Sequence, residues 1–230
     1  MVNTFFVTGT DTDVGKTLVT EALMQAVRDS GLYVAGYKPV ASGCEMINGQ
    51  LKNSDALILQ EASSNDLDYQ DHNPYAFAPA IAPHIAAAQA GVTISLDKLS
   101  EGLVAQKDNE AEWIFVEGAG GWRLPISEHE YLSDWVKKEQ LPVILVVGMR
   151  LGCINHALLT LEAIERDGLT VAGWVINQVY PNMSHYQENV NTLKQRISAP
   201  LLGEIPWLEG KPTDSVDQYI DIDLLFKDYC

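Results

Sequence analysis

What most limits the folds open to this chain is a nine-residue segment, Gly9-Thr10-Asp11-Thr12-Asp13-Val14-Gly15-Lys16-Thr17, and its surroundings. It follows a short apolar run, Thr4–Thr8, that reads as a buried strand. It opens a stretch, Lys16–Ser30, in which Leu18, Val19, Ala22, Leu23, Ala26 and Val27 recur at spacings of three and four, the mark of an amphipathic helix that Gly31 stops. A glycine-containing turn between a strand and a helix aims backbone N–H groups at a common point, and the helix N-terminus adds partial positive charge there. In such a loop Gly15 lets the chain approach a phosphate, Lys16 reaches the terminal phosphates of a nucleotide, and Thr17 offers a hydroxyl to Mg²⁺.

The spacing is irregular. Five residues separate Gly9 from Gly15 where the common phosphate loop has four, and Thr10 stands where that motif has a glycine. The competing reading is an ordinary strand-to-helix turn with a surface lysine. Placement of Gly-Lys-Thr between a strand and a helix favours the phosphate loop.

Further strands are expected at Val34–Lys38, Trp113–Glu117, Val143–Gly148, Val171–Asn177 and Leu201–Ile205. Helices are expected at Asp55–Glu61, Ala80–Ala90, Leu96–Lys107, Ser133–Glu139, Ile154–Asp167 and Ser184–Arg196. Alternating strands and helices imply parallel βαβ units with both sheet faces covered. The expected fold is therefore α/β, a doubly wound and mostly parallel sheet of the P-loop NTPase type, and residues 1–230 read as one domain. In such sheets ligands sit at the carboxyl ends of the strands, and every polar residue singled out below is expected at or just past such an end.

Charge bears on partners. The formal net charge is -16, from 31 acidic and 15 basic residues, so the mean field repels a polyanion and argues against nucleic acid as a partner. ATP must then be held by local positive charge against that average. Seven acids lie between Glu204 and Cys230, Asp214 and Asp228 among them, against Lys211 and Lys227, and they read as a solvated surface. Cys44, Cys153 and Cys230 are odd in number and form no C-x-x-C, which suits a reducing cytoplasm. Met1–Val7 lacks a basic leader pattern, and the longest apolar span, Leu141–Met149, is nine residues against the ~20 of a membrane helix. The histidines show no metal-binding spacing and read as surface or structural.

Other polar residues carry two readings each. Glu117 closes the Trp113–Glu117 run before Gly118-Ala119-Gly120-Gly121; it can hold Mg²⁺ or be a solvated strand-end acid, and the small residues after it leave room for a ligand. Asp55 follows Ser54 at a helix start; the residues alone favour an acid stabilised by the helix dipole, with Ser54 as N-cap. Lys38, at the end of a strand expected beside the first, is either a surface lysine or a cation facing the phosphates. Ser42 is a loop residue or a substrate contact, and neither reading prevails. Asn177 is a turn residue or a side chain that reads an adenine edge.

Taken in order, GTDTDVGKT, GYKPVASG, NSDAL, NPY, PHIAAAQ, VEGAGGW, LPVILVVG, LGCINHALLT, AGWVIN and PLLGEIPWL resemble the dethiobiotin synthetase family from Gly9 to Leu208. The resemblance implies closure of the ureido ring of dethiobiotin from 7,8-diaminononanoate, CO₂ and ATP, with Mg²⁺ as cofactor and ADP and phosphate released. A carbamate forms first, attacks the γ-phosphate to give a carbamic–phosphoric anhydride, and the second amine displaces phosphate. It further implies that Asp13, Val14, Gly15, Lys16, Thr17 and Leu18 hold the phosphates with Glu117, Gly118, Ala119 and Gly120 beside them, and that Thr17, Asp55 and Glu117 are the metal ligands. This reverses the residue-level reading of Asp55. Lys38 resembles the catalytic lysine alongside Lys16, Thr12 and Ser42 the substrate contacts, and Asn177, Gln178, Pro206, Trp207 and Leu208 the adenine site. Gly152, Cys153, Ile154 and Asn155 resemble the helix start that binds the substrate carboxylate from a neighbouring subunit, which implies a homodimer with shared sites. The chain departs from the family pattern at Asp13, where glutamate is common, and at Asn189, where an aromatic is expected.

The alternative of a different class is a partitioning-type ATPase switch of related fold, acting through dimerisation at a membrane or DNA. That group carries a signature lysine five residues before the loop lysine, where this chain has Asp11. No basic amphipathic terminal helix is read, so no membrane partner is expected. The related cobyrinate amidotransferases need a glutaminase domain, for which 230 residues leave no room.

Overall fold

The computed structural model describes residues 2–210 and 216–229; Met1, Lys211, Asp214 and Cys230, which entered the terminal, charge and cysteine readings, lie outside them. The chain opens with β1 (Asn3–Gly9), α1 (Lys16–Asp29) and β2 (Val34–Tyr37). Short elements follow: β3 (Val40–Ser42), β4 (Glu45–Ile47), β5 (Gln50–Lys52), α2 (Ser54–Ala62), α3 (Tyr69–His72), β6 (Tyr75–Phe77) and α4 (Pro83–Gln89). Then come α5 (Leu96–Lys107), β7 (Trp113–Gly121), α6 (Leu132–Glu139), β8 (Val143–Met149), α7 (Cys153–Arg166), β9 (Val171–Gln178), α8 (Tyr186–Arg196) and β10 (Leu201–Ile205). A 3₁₀ turn at Val216–Tyr219 and α9 (Asp223–Tyr229) close the described chain.

The main sheet has six strands in the order β10-β9-β8-β1-β7-β2, all parallel. Side-chain alternation in the strands builds the core on both faces. In β1, Phe5 and Val7 pack with α1 and α9, while Phe6 packs on the opposite face with Ile114, Val116 and Trp122. In β7, Trp113 and Phe115 join the first face and Ile114 and Val116 the second. This is the doubly wound α/β fold of P-loop NTPases. No helix among the described residues is long and apolar enough to cross a membrane.

Several expectations are corrected. The second strand is not beside the first: β7 lies between them, so Lys38 faces the phosphate loop across an intervening strand. Glu117 is not at the end of its strand, because β7 runs on to Gly121; its pairing with β1 is in register to Glu117 and slips beyond it, from Val7 opposite Glu117 to Gly9 opposite Gly121. The helix at Asp55 is capped by Asn53 rather than Ser54: the Asn53 side chain accepts from the backbone N–H groups of Asp55 and Ala56. At the end of the chain Glu209, Asp221 and Asp223 are exposed, as expected, but the same segment carries a packed helix. Tyr229 meets Phe5 edge-on at 4.8 Å and Phe226 meets Trp113 edge-on at 5.0 Å, which places α9 on the core. Of the histidines, His72 is fully buried and structural, its Nδ1 2.7 Å from the Gly36 carbonyl.

Candidate active site

The carboxyl ends of β1, β2 and β7 open on a cavity of about 680 Å³, within the range of small-molecule sites. Its floor is the phosphate loop. Val14 is buried there between two glycines: a Cβ at Gly9 would come within 2.5 Å of a Val14 methyl, and one at Gly148 within 2.7 Å of the other. Gly15 is the N-cap of α1 at φ 87°, a conformation that disfavours any side chain, and an added Cβ would collide with the Asn177 amide. Asn177 Nδ2 donates to the Val14 carbonyl at 2.9 Å and so ties β9 to the loop. No side chain caps α1 and no acid stands in its first turn, which leaves its first N–H groups for an anionic ligand.

Two lysines face this cavity in different states. Lys16 is buried and donates to the Asp11 carbonyl at 3.1 Å. Burial first, and then repulsion from Lys38, pulls its pKa down to about 8. Asp11 also accepts from the Thr12 N–H through Oδ1 and pairs with Arg150 through Oδ2. The position of the switch lysine is thus filled by an acid already matched to an arginine.

Lys38 is enclosed by acids. Its Nζ lies 2.5 Å from Glu117 Oε1 and 3.0 Å from Asp55 Oδ2, with 4% of its side chain exposed. Burial opposes its charge, but Glu117 and Asp55 outweigh burial and hold its pKa above the usual lysine value. Thr17 Oγ1 donates to the same Glu117 oxygen at 2.9 Å. Glu117 is fully buried, and its Oε2 has no hydrogen-bond partner among the described residues. An orphaned carboxylate oxygen beside a hydroxyl and the partly exposed Asp55 carboxylate is a donor set of the kind a hard divalent cation takes up. No cluster of three His, Cys, Asp or Glu ligands occurs among the described residues.

Thr12, Asp13, Gly15, Lys16, Thr17, Ser42, Asp55, Glu117, Ala119 and Gly120 all line this cavity, and Gly118 turns its carbonyl to Lys38 at 3.5 Å. Its apolar wall, Ala80–Pro83 with Leu124, was not anticipated as part of a site; only the PHIAAAQ segment pointed there. A second cavity of about 320 Å³ lies on the other side of Gly15, lined by Leu18, Asn177, Gln178, Pro206, Trp207 and Leu208. Trp207 is 41% exposed, an aromatic surface open to a planar ligand. The expected base-binding residues are therefore gathered beside the phosphate loop, whose Asp13 and Gly15 line both cavities.

Gly152, Cys153, Ile154 and Asn155 line neither cavity. Gly152 is the N-cap of α7 at φ 96°, with no side-chain cap and no acid in the first turn. Cys153 is buried, with Sγ 3.9 Å from Asn189 Oδ1, while Asn155 is exposed and Leu151 is 97% exposed.

A family model described as an AAA domain matches residues 3–211. The chain is 53% identical over 226 residues to a Tolumonas auensis protein named ATP-dependent dethiobiotin synthetase BioD, spanning 98% of this chain and 100% of that one. Identity to the Escherichia coli K12 protein named ATP-dependent dethiobiotin synthetase BioD 1 is 53%, with the same coverage. Identity to the Aeromonas salmonicida protein named ATP-dependent dethiobiotin synthetase BioD is 55% over 210 residues, 91% of this chain and 93% of that one. Among solved structures, a ParA family ATPase from Chlorobium tepidum superposes with a TM-score of 0.59 at 14% identity, covering 98% of this chain and 99% of that one. The cell division ATPase MinD of Pyrococcus furiosus gives 0.57 at 17% identity, covering 99% and 98%. At such identities the likeness is one of fold alone.

Proposed function

The chain belongs to the dethiobiotin synthetase family, and we propose on that basis that it closes the ureido ring of dethiobiotin from 7,8-diaminononanoate, CO₂ and ATP, releasing ADP and phosphate. It is a ligase that forms C–N bonds in biotin biosynthesis. The partitioning-ATPase alternative is not favoured, since the relatives at 53% identity are synthetases and Asp11 is engaged by Arg150.

The observation that carries the mechanism is a lysine held between two carboxylates in the cavity that the phosphate loop floors. The first-turn amides of α1 and the Lys16 ammonium hold the ATP phosphates, and the cavity lined by Asn177, Gln178, Pro206, Trp207 and Leu208 takes the adenine. Thr17, Asp55 and Glu117 would hold Mg²⁺, which neutralises charge on the phosphate oxygens. Thr12 and Ser42 orient the diamine in the large cavity, with its methylene chain against the apolar wall. A carbamate oxygen, formed when one amine takes up CO₂ and loses a proton, attacks the γ-phosphorus as ADP leaves. The second amine attacks the carbonyl carbon of the resulting anhydride, loses its proton and expels phosphate. Lys38, kept charged by its acids, stabilises negative charge on the transferring group. Positioning and charge neutralisation supply most of such a rate.

The N-terminus of α7 supplies Gly152, Cys153, Ile154 and Asn155 to the substrate carboxylate in the site of a second subunit of a homodimer. Its uncapped amides, and the fact that it lines neither cavity of its own chain, support that arrangement. We assign the enzyme to the cytoplasm, where Cys44 and Cys153 would remain thiols. The test is release of ADP from Mg-ATP: it should require both diaminononanoate and bicarbonate. Turnover that needs neither, and that lipid or DNA stimulates, would overturn the reading.

A further inference from the structure

Lys38 and Asp55 are 17 residues apart and sit on separate segments, yet they meet at 3.0 Å. Lys38 follows the end of β2, and Asp55 lies in the first turn of α2. Their ion pair alone does not fix the two backbones, because both side chains are long or rotatable and Asp55 is more than one-third exposed. Behind the pair runs a chain of buried hydrogen bonds that no step of the reaction uses.

The Lys38 backbone is held at both of its polar atoms. Its N–H donates to the His72 carbonyl at 2.8 Å, and its carbonyl accepts from Asn73 Nδ2 at 2.6 Å. The acceptor end of that amide, Asn73 Oδ1, receives the Tyr69 hydroxyl at 2.8 Å. The same Tyr69 oxygen accepts the backbone N–H of Asn53 at 2.7 Å. Asn53 in turn caps α2 by accepting from Asp55 N at 3.1 Å, and its Nδ2 donates to the Ser42 carbonyl at 3.4 Å. Tyr69, Asn73 and Asn53 are 5%, 3% and 6% exposed, so water does not substitute for these bonds. Burial lifts the Tyr69 hydroxyl to about 12, against a smaller opposing effect of the Asn53 N–H bond, so it remains a donor at working pH. The amide of Asn73 can serve only in the orientation seen, with its NH₂ toward Lys38, because Tyr69 donates to its oxygen.

We propose that Tyr69 is a positioning residue: its hydroxyl joins the Lys38 segment, through Asn73, to the Asp55 and Ser42 segments, through Asn53, and thereby sets where the lysine ammonium and the Asp55 carboxylate meet. The role rests on the reaction proposed above. The NSDAL and NPY motifs, otherwise only family marks, acquire a physical purpose in it. A one-ångström displacement of a positioned group costs roughly 10²-fold in rate, so a single hydroxyl at this junction has leverage on turnover without touching substrate.

Tyr69→Phe keeps the ring and its packing and removes only the hydroxyl. The expected result is a kcat lower by about 10-fold or more with the KM for ATP within about twofold of wild type. A crystal structure of the variant should show Lys38 Nζ and Asp55 drawn apart. Asn73→Ala breaks the same link from its other end and should give the same kcat-against-KM split, which serves if Tyr69→Phe does not fold. The double variant should be no slower than Asn73→Ala alone, because both changes cut one connection. A normal kcat in folded Tyr69→Phe, an unmoved Lys38–Asp55 pair, or full additivity of the two changes would overturn the proposal. If wild-type protein forms no dethiobiotin, the functional reading fails, and the crystallographic comparison still decides the positioning role.

Discussion

Lys38 Nζ lies 2.5 Å from Glu117 Oε1, and both side chains are buried. A buried carboxylate and a buried ammonium are each costly alone and tolerable together. Lys38→Ala therefore has two expected effects. Loss of a donor to the transferring group lowers kcat by at least ~10²-fold. Among the described residues, loss of the cation also leaves Glu117, whose Oε2 already lacks a partner, with the Thr17 hydroxyl alone, and breaking such a pair costs about 3–5 kcal/mol. Thermal unfolding of the nucleotide-free variant should fall accordingly, and Mg-nucleotide should restore part of the loss. A variant with near-normal kcat would remove Lys38 from the mechanism.

Lys16 gives the opposite case, a lysine whose charge its burial and the nearby Lys38 resist. With its pKa near 8, it is about half protonated at pH 8, and phosphate oxygens would raise that pKa on binding. The sign follows: the nucleotide favours the charged form, so binding takes up protons and weakens as pH rises through the free value. Calorimetry with ATP in EDTA, in buffers of different ionisation enthalpy, should report proton uptake that grows toward one proton as pH rises through the free value of about 8. Lys16→Gln should abolish the uptake. Wild-type binding at pH 9 with no proton exchange would contradict it.

The phosphate loop, the alternation of elements and all six strands of the main sheet were legible because each rests on local signals: glycine punctuation, 3.6-residue periodicity and apolar runs. Strand order was not, because nothing between Gly31 and Trp113 states that the later strand inserts between β1 and β2. The pairs β3–β6 and β4–β5 have three residues per strand, too few to show a period. Asp55 read as a helix-dipole acid because its partner lies 17 residues away on another segment. Tyr69 went unread for a like reason: its hydroxyl acts on two backbones that fold together only in three dimensions. The aromatics of α9 fell in a segment whose acids dominated the reading, though Leu224, Leu225, Phe226 and Tyr229 carried the signal of a packed helix.

At Gly15 a φ of 87° and the adjacent Asn177 amide both oppose a side chain. Gly15→Ala should destabilise the protein by more than about 1 kcal/mol, since alanine is placed at positive φ and pushed against a neighbour. It should also weaken ATP binding by displacing the Val14–Asn177 hydrogen bond that shapes the loop. In an Asn177→Ala background the collision is absent, and the stability cost of Gly15→Ala should shrink to the backbone share. Thermal denaturation of the four proteins measures the difference; equal costs in both backgrounds would show that Asn177 does not confine Gly15.

The first turn of α7 tests whether sites are shared. Asn155 is exposed and lines neither cavity of its own chain, so a tryptophan there should leave the chain's own phosphate loop and Lys38 intact. Asn155→Trp should block the carboxylate position in the partner's site, and Lys38→Ala should disable its own. Each homodimer should then be nearly inactive. When the two variants exchange subunits, half of the sites in a mixed dimer carry both defects and half carry neither. Random mixing in equal amounts makes half of the dimers mixed, so activity should return to about one quarter of wild type. Recovery should scale with the fraction of heterodimer measured by native mass spectrometry. Confirmed exchange with no recovery would assign the α7 N-terminus to some other contact and leave each cavity to bind the substrate carboxylate with its own residues.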